Sequence, residues 1–156
     1  MNRKTWVWVI FSFVIYLASC AKQPAPKVIV EGTQSVKKDQ WHPVYFRLQN
    51  RVRVRVHLTV QDGPAIDAYV MSKANFNKWR GDPEIEEGPP PQSFSHYKNL
   101  GLEGILRTFI SVTETLEAGA YYLVLDNTAR GRAIPPIQIK NDTAIIHYKI
   151  LMWPVL

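Results

Sequence analysis

The residues of this chain best suited to chemistry stand together at 51–58, RVRVRVHL. Arg51, Arg53, Arg55 and His57 alternate with Val52, Val54, Val56 and Leu58. In a strand successive side chains point to opposite faces, so the segment predicts one apolar face and one cationic face. A guanidinium presents a planar fork of donors that matches phosphate or carboxylate oxygens, so this face could bind an anionic ligand. The competing expectation is plainer. The arginines would keep a wet strand soluble, pair with acids on neighbouring strands and discourage edge-to-edge association.

Other candidate groups are sparser. Asp67, Asp126 and Asn127 could supply oxygen ligands to calcium, although their spacing builds no EF-hand loop and turn formation explains Asp126 and Asn127 as well. His42, His57, His96 and His147 form neither HxH nor HxxxH, so the usual metal-ligand spacing is missing. The chain has no nucleophile elbow, no phosphate-cradling glycine loop and no HExxH. Asp82, Glu84, Glu86 and Glu87 cluster in GDPEIEEGPPPQ (81–92), where four prolines and two glycines oppose regular structure. A carboxylate pair for glycoside hydrolysis needs a fixed separation on rigid elements, which such a loop does not provide. The chain is therefore expected not to be an enzyme, to need no cofactor and to hold no metal.

The N-terminus carries different chemistry. Arg3 and Lys4 precede twelve uncharged, mostly apolar residues, 6–17, and then Leu17, Ala18, Ser19 and Cys20. Twelve apolar residues are short for a bilayer crossing, which needs about 20, but they fit the apolar region of a secretory signal. The LASC sequence resembles the lipobox of bacterial lipoproteins. That resemblance implies cleavage before Cys20, which becomes an acylated N-terminus, so that residues 1–19 are a signal peptide. It also implies a cell-envelope address. Ala21 lacks the aspartate that favours inner-membrane retention, so the outer membrane is expected if the host is Gram-negative. Removing Arg3 and Lys4 from the 19 basic side chains leaves 17 against 13 acidic, a formal charge of +4. As Cys20 is the sole cysteine, no intramolecular disulfide can form and no thiol nucleophile remains.

The elements that must position these groups follow from period-two patterning. AKQPAPK (21–27) completes a lipidated tether, 20–27. Strands are expected at 28–30, 44–48, 51–60, 66–71, 94–97, 105–112, 120–125 and 144–151. Ser72 caps a short helix that carries Phe76 and Trp79. Residues 131–136 read as irregular. Eight or so short strands over 28–156 predict an all-β, antiparallel β-sandwich with one short helix; a closed barrel is the alternative.

Two segments strengthen the sandwich. LEAGAYYLVLDN (116–127) resembles the "aGtYyLvvdN" strand of bacterial pre-peptidase C-terminal domains and of the Golgi-dynamics type of jelly-roll. PAIDAYVM (64–71) resembles the "D-x-y-v-m" strand of the same modules. Such modules are usually accessories that bind cargo, polysaccharide or neighbouring domains. The resemblance thus implies a non-enzymatic binding or assembly role, with the membrane and an envelope protein or polysaccharide as partners. Nucleic acid is not expected at that address. The apolar tail ILMWPVL (150–156) is expected to finish a strand and cover a core edge, or else to form an exposed docking patch.

Overall fold

The computed structural model describes residues 24–81, 97, 100–128 and 142–155. In chain order the strands are β1 (Lys27–Val36), β2 (Trp41–Leu48), β3 (Val52–Asp62) and β4 (Ile66–Ser72). The helix α1 (Lys73–Gly81) comes next. β5 (Leu102–Ile105), β6 (Thr108–Ile110), β7 (Glu114–Leu116), β8 (Gly119–Asp126) and β9 (Ala144–Pro154) complete the order. They form two antiparallel sheets. The first runs β1-β9-β3-β6, with β7 also paired to β3; the second runs β2-β8-β4-β5. The fold is an all-β sandwich with one short helix, not a closed barrel.

Alternation builds the core. Val52, Val54, Val56, Leu58 and Val60 of β3 are buried against Val44, Phe46 and Leu48 of β2 and Tyr121, Leu123 and Leu125 of β8, in one apolar cluster. Each such side chain taken from water contributes roughly 1.5–3 kcal/mol before entropy is counted. The Tyr121 hydroxyl donates to the Glu117 carbonyl at 2.9 Å, pinning the approach to β8. Burial and the neighbouring Tyr97 push the Tyr121 phenol up to about 12.

β4 departs from simple alternation, because Ile66 through Met71 are all buried. α1 supplies the reason. Ser72 Oγ accepts from the Asn75 amide at 3.3 Å and caps the helix, which lays Phe76 and Trp79 over Tyr69, Met71 and Val124. Phe76 stacks on Tyr122 with ring centroids 4.0 Å apart, and Trp79 meets Trp41 edge-on at 5.0 Å.

Three elements differ from the sequence reading. The expected strand at 105–112 is two strands in different sheets. β5 pairs with β4 and β6 pairs with β3, so the chain crosses the sandwich at Leu106 and Arg107. β1 is ten residues long rather than three, since its polar half is an edge strand on β9. β7, only three residues long, is too short to show a period. Of 94–97 only Tyr97 is described, and its amide donates to Val70 O at 2.8 Å beside β4. The segments 1–19, 82–92 and 131–136 lie outside the described residues. The apolar tail continues β9 to Pro154, with Ile150 and Leu151 buried.

The sandwich has two distinct ends. At the entry end β1 begins, the β2–β3 turn lies at 49–51, and Leu48 pairs with Gly119. At the far end Val36 pairs with Ala144, and Trp41, Asp126 and Asp67 stand in one cross-strand row. Gly63 turns the chain there at φ +91°, with Thr143 O so close that a Cβ would collide with it.

Candidate anionic-ligand face

β3 sends its valines and Leu58 into the core, so Arg53, Arg55 and His57 point outward from the first sheet. Arg51 is not part of that row. It precedes the strand, and its Nε lies 3.0 Å from Glu117 Oε1 with both side chains well exposed. An exposed pair of this kind contributes little stability but partly neutralises Arg51.

Partners on the face come from strands far away in sequence. β9 lies beside β3, so Trp153 stands opposite Arg53, Leu151 opposite Arg55 and Lys149 opposite His57. On the other flank Thr115 faces Arg53 and Ile110 faces His57. Arg55 donates from Nε and Nη2 to Thr113 Oγ1 at 3.1 and 2.8 Å, and its guanidinium carbon stands 5.5 Å from the Trp153 ring centroid. Arg55 is therefore oriented by a neutral oxygen and an aromatic face, neither of which cancels its charge. The chain reaches Thr113 because Ser111 is stitched to β3. The Val56 amide donates to Ser111 Oγ, and the Ser111 amide donates to Val56 O, each at 2.9 Å.

Glu31, a carboxylate of the same sheet, is already engaged. Glu31 on β1 binds Lys149 at 3.2 Å and lies 3.4 Å from His147 Nε2. His147 also meets Thr33 Oγ1 through Nδ1 at 3.3 Å. His57 Nε2 is buried without a hydrogen-bond partner among the described residues. Burial lowers the His57 pKa first, and the Arg55 and Lys149 charges lower it further. His57 is thus the neutral member of the row at pH 7. Exposed Ile110 and Val112 border the face, giving a cationic strip with an apolar margin.

The oxygen-rich residues assemble elsewhere. Asp67 and Asp126 stand directly opposite on β4 and β8, both buried, at the far end. Asp67 Oδ1 accepts from the Gly104 amide at 2.6 Å, and Asp126 Oδ1 accepts from the Thr128 amide at 3.0 Å. Tyr69 is kept protonated by burial first, then by the charges of Asp67, Glu103 and Asp126 and by a hydrogen bond to Asp67. Asn127 Nδ2 donates to Val36 O at 2.9 Å and to Asp142 O at 3.0 Å, tying β1 and the lead into β9 to the end of β8. Among the described residues no group of three or more His, Cys, Asp or Glu could hold a metal ion. Cys20 lies outside the described residues.

The sequence located Arg53, Arg55 and His57 on one face. It did not find Thr113 beside Arg55 or Lys149 beside His57, because register between segments far apart in the chain leaves no local signal. Comparison with known families and characterised proteins finds no family model and no curated relative that matches the chain.

Proposed function

We propose that this chain is a lipid-anchored accessory of the bacterial cell envelope that binds a partner rather than catalysing a reaction. The observation that carries this reading is the start of β1 at Lys27, seven residues after Cys20. Seven extended residues span at most about 25 Å, so a lipid on Cys20 would hold the sandwich by its entry end close to the bilayer. The lipobox supports the anchor, since several acyl chains at roughly 0.8 kcal/mol per buried CH₂ give stable attachment. The jelly-roll resemblance at 64–71 and 116–127 supports the accessory role. The outer membrane is the address where the host has one. Cys20→Ala tests the anchor: the variant should accumulate as an unacylated precursor. Acylation and processing like those of the natural chain would overturn it.

A second reading rests on Arg55. Its described partners, Thr113 and Trp153, orient the guanidinium without neutralising it. That supports direct binding of an anionic glycan across Arg53 and Arg55, with Arg51 at the margin. Binding of a phosphorylated or uronate-bearing polysaccharide should weaken with salt and fall in the Arg51→Gln, Arg53→Gln, Arg55→Gln triple variant. Unchanged binding in that variant removes this reading.

A further inference from the structure

The entry end of the sandwich carries cations that the strand-face reading does not use. Lys27 opens β1, Arg47 sits near the end of β2, and Lys73 opens α1. All three are exposed, and among the described residues none has a carboxylate within ion-pairing distance. The register places them together. Lys27 pairs with Met152 in one sheet, while Arg47 pairs with Ala120 and Ser72 with Tyr121 in the other.

Arg47 lies between the other two. It lines a cleft of about 420 Å³ with Lys73, Tyr45 and Gly119. It also lines a second cleft of about 240 Å³ with Lys27, Asn50 and Met152. Tyr45, at the rim, is half exposed. Two open clefts with a shared cation between them can take phosphate oxygens from two directions, and Arg47 can meet them with a fork of donors.

The opposite end carries both signs among the described residues. Asp39 and Asn127 share a backbone hydrogen bond there, Asp62 pairs with Ile145, and Asp142 O accepts from Asn127. Asp67 and Asp126 are buried behind them, with Lys37 and Lys38 on the adjoining turn. Among the described residues, the end where the chain enters thus presents cations without carboxylate partners, whereas at the end facing away Asp39, Asp62 and Asp142 stand beside Lys37 and Lys38.

We propose that the entry end is a membrane-facing surface on which Lys27, Arg47 and Lys73 bind the phosphate headgroups of an anionic bilayer. This rests on the lipid-anchor reading for its occupant: a tether of at most about 25 Å delivers this end to the headgroups. Charge complementarity at the entry end then orients the domain upright, with the opposite end outward. Each basic side chain near an anionic surface adds to the attraction, and the attraction decays within a Debye length of about 8 Å at physiological salt.

The test is lysine acetylation footprinting of the full processed chain in vesicles of phosphatidylcholine, with or without phosphatidylglycerol. Lys27 and Lys73 should be labelled several-fold more slowly than Lys37 and Lys38 on the anionic vesicles only, and salt should erase the difference. Arg47→Gln should weaken the protection at both lysines, whereas Lys37→Gln should leave it unchanged. Equal labelling of the two ends overturns the proposal. So does protection that is the same on neutral vesicles, or protection reproduced by inorganic phosphate without a bilayer. The mass of the Cys20 peptide in the same digest reports acylation separately, so a failed anchor is not mistaken for a failed surface.

Discussion

Arg55 is clamped between Thr113 Oγ1, at 2.8 and 3.1 Å, and the Trp153 ring, whose centroid lies 5.5 Å from the guanidinium carbon. The two partners approach from opposite flanks of β3: Thr113 follows β6, and Trp153 belongs to β9. The contact therefore spans three neighbouring segments of one sheet and fixes a cation above it.

This clamp should be measurable as a coupling. Arg55→Gln and Trp153→Leu, alone and together, define a double-mutant cycle read by urea unfolding. A coupling of about 0.5–1 kcal/mol is expected for a partly exposed cation over an indole. Strict additivity would show that the ring does not hold the guanidinium. Arg55→Lys keeps the charge but loses the fork to Thr113, and should recover only part of the coupling.

Asp67 anchors the β5 crossover through the Gly104 amide, a residue at φ +72°. Asp67→Ala should cost about 1–3 kcal/mol, because a partly buried amide loses its acceptor. Asp67→Asn retains an oxygen at that position and should cost less. Denaturant midpoints with unchanged m-values would report both. Equal losses in the two variants would mean that the carboxylate charge, rather than the Gly104 hydrogen bond, matters.

His57 should make stability pH-dependent. Its folded pKa lies below 6.5 because burial disfavours the imidazolium and Arg55 and Lys149 repel it. Between the folded and unfolded values the unfolded chain binds more protons. Stability is therefore complete above about pH 6.5 and declines as pH falls toward the folded value. His42, lowered by burial, contributes in the same direction. Melting temperatures from pH 7.5 to pH 5 should fall less steeply in His57→Gln than in the natural chain. Parallel slopes would place the effect elsewhere.

Much of the fold was legible because β3 states its two faces in alternating letters. Val52, Val54, Val56, Leu58 and Val60 are buried as their spacing requires, and Tyr121, Leu123 and Leu125 follow the same rule. Legibility ended where the period was absent or the chain changed sheets. β7 has three residues, and β5 and β6 read as one strand until the crossover separates them. β4 hides its polar alternation because α1 covers its outer face.

The site divides in the same way. Alternation alone places Arg53, Arg55 and His57 on one face, since it is a local property of the strand backbone. Ser72 likewise sets where the short helix begins, since it caps the helix locally. What the face meets depends on how distant strands pack. Glu31 goes to Lys149, Arg51 goes to Glu117, and Arg55 finds a hydroxyl and an indole instead of a carboxylate. The same is true of Lys27, Arg47 and Lys73, which converge because two sheets bring their ends together. Strand register is set by packing of the whole core, and no short stretch of sequence contains it.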